Sequence, residues 1–589
     1  MPRRRKASRA LAVACLLAAL PAADAWAQER PKNGSIAFSA QRAGTRVIYT
    51  RERNGSGLRL VRTGGRSDHP AFSARGKRLL FTRYGSLGAQ LWITYLDGTG
   101  MRALTRGPAD GMAQWSPSGD AVVFARGRRG RRDVYVVLAD GTGPRRLTFS
   151  PRDDHSPSWS AKNRIAFVRA TRKGSHVYVL PASGGRPRRL TRGKADEVAP
   201  AWSPTGRTLV LSRGRPGERN LYRVRADGSG ARRLTSVPGD ETEAAWSPDA
   251  TRIVFTYRRG GKRRVYVMKI RGGAIPRLPS RSSRVRRLTT SGSRAGFPSW
   301  QPAGLDPLVA AAGDIACDPE HVYFNGGLGV PGACRQKLTS DLLLRADFSD
   351  ILALGDLQYE DGQLWKFQRS FDRSWGRLKP LIRPIPGNHE YGDADAAGYF
   401  DYFNGRGRQT GPAADRSAGY YSFDIGTWHV IALNSECRHI GGCGVRSRQI
   451  RWLATDLAAH PAAACTVALW HRPTFTSGGH SDSGDMRPAW NLLYQSNADL
   501  ILSGHDHTYE RFAPQTPTGA FDPGRGIRQF VAGMGGKSRF GFPDIQPNSE
   551  VRRAFAGILE LTLREGAYDW TARSALAGGV VDSGTGACH

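Results

Sequence analysis

Two hydrophobic textures divide this chain of 589 residues. From residue 34 to about 300 the apolar positions come in short clusters broken by Gly, Pro, Asp and Ser. One cluster recurs as Ile36-Ala37-Phe38, Leu79-Leu80-Phe81, Val122-Val123-Phe124, Ile165-Ala166-Phe167, Leu209-Val210-Leu211 and Ile253-Val254-Phe255. A second recurs as Val47-Ile48-Tyr49, Leu91-Trp92, Val134-Tyr135, Val177-Tyr178, Leu221-Tyr222 and Val265-Tyr266. Runs this short, bounded by turn residues, predict strands rather than helices. From Leu308 the texture changes. Apolar runs at 308–312, 350–354, 466–470 and 500–502 alternate with helical stretches at 335–345 and 363–378. Strands alternating with helices predict an α/β fold.

The first region is a repeat. An aromatic residue recurs at Phe72, Trp115, Trp159, Trp202, Trp246 and Trp300, followed by Ser-Pro at three of these positions. The spacing is about 43–44 residues, with an insertion of about ten before the last copy. A Leu-Thr pair, as at Leu147-Thr148 and Leu288-Thr289, is a further mark, and Asp97-Gly98, Asp140-Gly141 and Asp227-Gly228 supply tight hairpins. Four short strands per unit of this length predict propeller blades, and six copies predict six blades over residues 34–302. The chain enters on the Ile36 cluster and leaves on the Trp300 mark. The last strand is therefore expected to complete the first blade and close the ring. The marks resemble the propeller repeats of the periplasmic TolB protein. The tryptophans read as blade packing.

Charge separates the same two regions. The net charge is +37. Residues 1–302 carry roughly +41 of it and residues 303–589 roughly −4, so a very basic domain precedes a near-neutral one. Many arginines fall in predicted hairpin tips, as in 126–132 and 258–264. They either solvate the surface or form a platform for an acidic partner, such as an envelope polymer, anionic lipid headgroups, nucleic acid or a protein. No specific nucleic-acid motif is present.

The start of the chain has a basic Arg3-Arg4-Arg5-Lys6 segment, an apolar core at 10–20 and a small-x-small site at Ala25-Trp26-Ala27. This predicts a bacterial-type signal peptide over residues 1–27, Gln28 as the mature start and a secreted or extracytoplasmic protein. No other segment is long and apolar enough to form a transmembrane helix. Removing Cys15 leaves six cysteines: Cys317, Cys334, Cys437, Cys443, Cys465 and Cys588. Export favours disulfides, and six cysteines allow fifteen pairings. Cys437 and Cys443, flanking a five-residue loop, are the best local pair.

In the second region each strand ends in polar residues: Gly313-Asp314, Gly355-Asp356 with Tyr359, Gly387-Asn388-His389-Glu390, His471-Arg472-Pro473, and Gly504-His505-Asp506-His507. Carboxyl ends of strands in such folds converge on one crevice. Carboxylate, amide, phenol and imidazole together suit a pair of hard-to-borderline cations. In order and spacing these residues resemble the calcineurin-like metallophosphoesterases, and among them the purple acid phosphatases, over residues 303–589. The whole chain then reads as an all-β six-bladed propeller followed by an α/β metallophosphoesterase sandwich.

The resemblance implies roles residue by residue. Asp314, Tyr359 and His507 would bind a first metal; Asn388, His471 and His505 a second; Asp356 would bridge them. An Asp-x-His at the first motif, common in other relatives, is missing at Asp314-Ile315-Ala316, while Tyr359 is present. That implies a tyrosinate-ligated site favouring iron, with iron, zinc or manganese in the other. Two such ions clamp a phosphoryl oxygen and acidify a water into an attacking hydroxide. His389 and His480 would contact substrate or protonate the leaving group. Asp506 is expected to point away from the ligands, and Tyr509-Glu510-Arg511 to support the turn. Where plant relatives place a fibronectin-like sandwich, this chain has the propeller. The expected activity is acid phosphatase-like phosphomonoester hydrolysis. The alternatives are a phosphodiesterase acting on an envelope polymer, or an envelope scaffold with an inactive metal site.

Overall fold

The structure, a computed structural model, describes residues 31–270, 285–289 and 294–589, apart from positions 193, 462, 481, 482 and 577. The expected signal peptide, cleavage site and Cys15 lie outside the described residues, as does most of the insertion before Trp300. The chain divides into two compact units, Met1–Leu305 and Asp306–His589. No helix among the described residues is long and apolar enough to cross a membrane.

The first unit is a ring of six four-stranded sheets. Each recurring Ile/Leu/Val-rich cluster forms the second strand of a blade, buried on both faces because neighbouring blades pack against it. The first blade is made by the Lys32–Arg42, Thr45–Arg51 and Arg59–Val61 strands plus the Gly296–Ala303 strand from the far end, with Ile36 opposite Trp300. The ring closes as its copy order requires.

Two repeated devices within the blades are invisible in the hydrophobic pattern. The inner strand of every blade carries one residue with left-handed backbone: His69, Met112, Ser156, Ala199, Glu243 and Phe297. Register with the next strand slips at each of these places. These are β-bulges, and in four of the six the following residue is a proline, which lacks the donor the broken ladder no longer uses. The second device is a buried acid on the inner strand facing an arginine across the sheet: Asp110 with Arg126 at 2.7 Å, Asp154 with Arg169 at 2.6 Å, and Glu197 with Arg213 at 2.7 Å. Each guanidinium also lies about 5 Å over the centre of a tyrosine ring, Tyr135, Tyr178 or Tyr222. Part of the arginine load is thus structural. In the 126–132 tip, Arg126 and Arg132 are paired with Asp110 and Asp153, while Arg128, Arg129 and Arg131 are exposed.

The second unit is a two-sheet sandwich. One sheet runs in the order β3 (Ile382–Ile385), β2 (Asp350–Leu354), β1 (Leu308–Ala312), β11 (Gly557–Arg564), β12 (Ala567–Ser574), β13 (Val580–Ala587). The other runs β4 (Tyr421–Ile425), β5 (Trp428–Ala432), β6 (Cys465–Leu469), β7 (Leu500–Ser503), β9 (Arg528–Ala532), β8 (Tyr509–Phe512), β10 (Ser549–Arg553). Strands β1, β2 and β3 are mutually parallel, and so are β5, β6, β7 and β9. Side-chain alternation sorts the residues. Val309 and Ala311 face Val467, Leu469 and Phe530 of the opposite sheet, while Ala310 and Ala312 face the outer layer of α1 (Gln336–Leu344) and its neighbours. The second sheet is covered by α3 (Arg448–Ala459) and α4 (Arg487–Gln495), with α2 (Ala397–Asn404) on the first sheet's side. Full burial of each such Leu, Val or Phe contributes about 1.5–3 kcal/mol.

Three disulfides among the described residues join Cys317 to Cys334, Cys437 to Cys443 and Cys465 to Cys588. The last links the first residue of β6 to the penultimate residue, closing a span of 123 residues. Constraint of the unfolded chain grows with loop length. Replacing Cys465 and Cys588 together by serine is therefore expected to lower the melting temperature of the second unit by about 4–16 °C, measured by calorimetry on the full chain.

The sixth blade departs from the acid–arginine pattern of the third, fourth and fifth. Glu241 faces Tyr257 where the other acids face arginine, and the Tyr257 hydroxyl donates instead to the Pro238 carbonyl at 2.8 Å. Burial pushes the Glu241 carboxyl up to about 7, against the opposing hydrogen bond from Thr235. The folded state thus keeps this proton to a higher pH than the unfolded chain, so the group's contribution to stability is lost as pH rises from about 4.5 through about 7. Glu241→Gln should stabilise the protein at pH 8 by on the order of 2 kcal/mol and change it little at pH 4.5, read from denaturant midpoints at the two pH values.

Candidate metal centre

Five strand ends meet at one crevice. Asp314 follows β1 by two residues, Asp356 follows β2 by two, Asn388 follows β3 by three, His471 follows β6 by two, and His505 and His507 follow β7. The first three come from one sheet and the last three from the other, so the gap between the sheets opens onto the cluster. Tyr359 reaches it from the loop after β2.

The polar atoms are packed to contact distance. The Tyr359 hydroxyl lies 2.8 Å from Asp314 Oδ1, 3.0 Å from Asp356 Oδ2 and 3.0 Å from His507 Nε2. His471 Nε2 lies 3.2 Å from Asn388 Oδ1, 3.2 Å from His505 Nδ1 and 3.3 Å from Asp356 Oδ2. Asp356 therefore stands between a Tyr359–Asp314–His507 group and an Asn388–His471–His505 group. All seven expected ligands are brought together. His389 lies beside them: its ring centre is 4.1 Å from that of Tyr359, and its Nε2 is 3.8 Å from Asp356 Oδ2. His480 stacks on His505 at 4.2 Å and is partly open to solvent.

Local backbone explains why glycine precedes four of the seven ligands, Asp314, Asp356, Asn388 and His505. Asp314, Asp356 and His505 have left-handed φ of 59°, 48° and 70°, a conformation that costs a non-glycine residue free energy and gathers at functional sites. It turns each side chain inward at the strand end. The preceding glycines leave room for it. A Cβ on Gly387 would lie 2.3 Å from Asp356 Oδ1, and one on Gly355, itself at φ +80°, 2.5 Å from His471 Nδ1.

The electrostatics fit a cation pair. Asp314, Asp356 and His471 are almost wholly buried, and such charges are kept only where partnered. Burial alone would raise the Asp356 carboxyl, but the charge and hydrogen bond of His471 outweigh it and hold it low; His471 is correspondingly pushed up to about 10. Burial and then the His471 charge push His505 down to about 2. Burial and the Asp314 and Asp356 charges hold the Tyr359 phenol protonated, well above its ordinary range. A bound multivalent cation reverses that last balance, because it replaces two repelling carboxylates as the phenol's dominant neighbour. The imidazoles are oriented as metal ligands are. His471 Nδ1 donates to the Leu354 carbonyl at 2.8 Å, and His507 Nδ1 bonds Ser538, which turns both Nε2 atoms inward. The chemistry of the donor set and the glycine-lined cradle therefore fit two ions.

Several supporting residues have no signal in the periodicity. Glu390, fully buried, accepts backbone N–H bonds from Asp356 (2.9 Å), Leu357 (2.8 Å), Gln358 (3.1 Å) and Gly387 (2.8 Å). It ties the loop bearing Asp356 to the loop bearing Asn388. Its place in the Gly387–Glu390 motif is the one sign of it in the sequence. Asp506 does point away from the ligands. It accepts the His480 backbone N–H at 2.9 Å and bonds Nδ1 of the same residue at 3.1 Å, so it anchors the loop that presents His480. Glu510 accepts from Ser477 of that loop, and Arg511 pairs with Asp582. Arg472 joins Glu436 at 2.8 Å and reaches His505 Nε2 at 3.2 Å. Phe540 stacks on His507 at 4.1 Å, and Lys537 sits over the Tyr359 ring.

Comparisons with known proteins match this division. A family model described as the TolB beta propeller domain matches residues 16–163 and 140–312, and one described as calcineurin-like phosphoesterase matches residues 335–509. Purple acid phosphatase 21 of Arabidopsis thaliana is 32% identical over 192 residues, which is 30% of this chain and 41% of that one. Human acid phosphatase type 7 is 28% identical over 192 residues, 28% of this chain and 41% of that one. The chain thus spans less than half the length of these curated relatives. The solved structure of TolB from Acinetobacter baumannii superposes with a TM-score of 0.39 at 18% identity, covering 46% of this chain and 67% of that one. The chain belongs to the TolB propeller family through its first unit, and its second unit carries a match to the calcineurin-like phosphoesterases, with purple acid phosphatases among the proteins it resembles.

Proposed function

We propose that the second unit hydrolyses phosphate monoesters at a dinuclear metal centre. The observation that carries this reading is the buried Asp356 carboxylate standing between two groups of three donors. In this reading Asp314, Tyr359 and His507 hold one ion, iron, and Asn388, His471 and His505 hold the other, iron, zinc or manganese, with Asp356 shared. When bound, such a pair polarises the phosphoryl group and makes water acidic enough to attack it.

The chain's own residues do the rest. Asp356 and Glu390 fix the spacing of the two loops. His389, partly exposed beside Asp356, stands where it can give a proton to the departing alkoxide oxygen. His480, held by Asp506, stands on the other side of the crevice and can hold a phosphoryl oxygen by its ring N–H. Arg472, fixed by Glu436, adds positive charge next to His505 and favours an anionic substrate. The exposed arginines of the propeller, such as Arg128, Arg129 and Arg131, support a polyanionic envelope partner for the first unit. The three disulfides support export.

Hydrolysis of a chromogenic monoester and diester by the full chain, purified with its native metal, tests the activity. Asp356→Ala should lower monoester turnover by at least about 1000-fold, the several kcal/mol that metal catalysis supplies. Monoester turnover equal in wild type and mutant would overturn the assignment, and a preference for the diester would move the substrate to polymers. Tyr359→Phe is expected to abolish the visible absorption of the iron-loaded protein while two metals remain bound; an unchanged spectrum would remove Tyr359 from the ligand set.

A further inference from the structure

A second gathering of nitrogen and oxygen donors lies at the opposite end of the strands. His429 is the second residue of β5, whereas the crevice is at that strand's carboxyl end. Asp424 on β4 is its direct cross-strand partner, and Asp456 and His460 stand one turn apart on and just beyond α3. The ligand atoms of Asp424, His429 and His460 all lie within 4.8 Å of one another. None of these residues takes part in the catalytic crevice.

The contacts divide the ring nitrogens into two kinds. His429 Nε2 lies 2.8 Å from Asp456 Oδ2, and the other oxygen of that carboxylate accepts from the Ser422 hydroxyl at 2.6 Å. His460 Nδ1 donates to the Asp456 backbone carbonyl at 2.7 Å. One nitrogen of each imidazole is thus held by an oxygen acceptor, the arrangement that orients a metal-ligating histidine and leaves its other nitrogen as a lone pair. His429 Nδ1 is 3.0 Å from Asp424 Oδ1. At that distance, with Nε2 already against Asp456, the two atoms need either a second ring proton or a metal ion between them. The His429 side chain is 2% exposed, so water does not stand in for either. The Asp424 and His460 side chains are 63% and 37% exposed, which leaves a path for an ion.

We propose that Asp424, His429 and His460 form a third metal site, for one divalent transition ion of the zinc class, with Asp456 as the carboxylate behind His429. Two imidazoles and a carboxylate are borderline donors that suit zinc rather than calcium or magnesium. The His429 and His460 rings are stacked at 3.9 Å with 20° between their planes, so binding opens the stack by turning the partly exposed His460. The ion staples the β4–β5 hairpin, at the edge of its sheet, to the end of α3. It is a structural site and not part of the hydrolytic centre.

The test is a zinc count on the full chain, by equilibrium dialysis against zinc and elemental analysis of wild type, His460→Ala and Asp424→Asn. Both substituted residues are partly exposed and outside the core. Each variant is expected to bind one zinc fewer per chain than wild type, to lose the part of the melting-temperature rise that zinc gives wild type, and to keep monoester turnover within about twofold. The count decides the matter whether or not the protein turns over a monoester. Equal zinc in all three proteins would overturn the site, and the charge at His429 would then be a second ring proton in an ion pair with Asp424 and Asp456.

Discussion

A carboxylate taken out of water must be given donors or cations in its place, and the second unit is arranged around that requirement. Asp356 is buried between two sheets with a histidine on one side and a phenol on the other. Glu390 behind it receives four backbone N–H groups. The two acids divide the work. Glu390 uses its oxygens to fix backbone and so sets where the strand-end loops run, and Asp356 keeps its oxygens for the centre. The glycines, the left-handed ligands and the burial of the surrounding loops follow from bringing so many polar side chains to one point.

Much of this is legible in the amino-acid sequence. Strand ends carry their chemistry in consecutive letters, so Asp314, Asp356, Asn388, His471, His505 and His507 read as one set from five short motifs. The blades are legible because the Trp and Ile/Val marks repeat at a fixed interval. What stays hidden depends on register or on distant pairing. The acid–arginine pairs need the knowledge that Asp110 lies opposite Arg126. The six bulges occupy unrelated residue types, from His69 to Phe297, because backbone conformation and not side-chain chemistry is repeated there. Cys465 and Cys588 are 123 residues apart, and nothing local marks them as partners. The Asp424–His429 cluster has no compact motif because its members are scattered over a hairpin and a helix end.

The basic first unit gains a different meaning from its ion pairs. Its net charge suggests a surface of free arginines, yet Arg126, Arg169 and Arg213 are committed to acids inside the blades and stacked on tyrosines. A guanidinium suits this place because it is planar and bonds two ways at once. The surface charge open to a partner therefore resides in the hairpin tips and on the outermost strands, as at Arg59 and Arg188, and is smaller than the composition implies.

Ring closure sets an order on the making of the protein. Ile36 and Trp300 are opposite each other in the first blade, so the earliest strand to emerge during synthesis waits for one made about 260 residues later. Until then its inner edge is an unpaired ladder, the kind of edge that invites wrong partners. The other five blades draw their strands from consecutive stretches and can pair as they appear. The chain that completes the ring runs directly into the first strand of the second unit at Leu308, so the propeller can be whole before the second unit begins to fold.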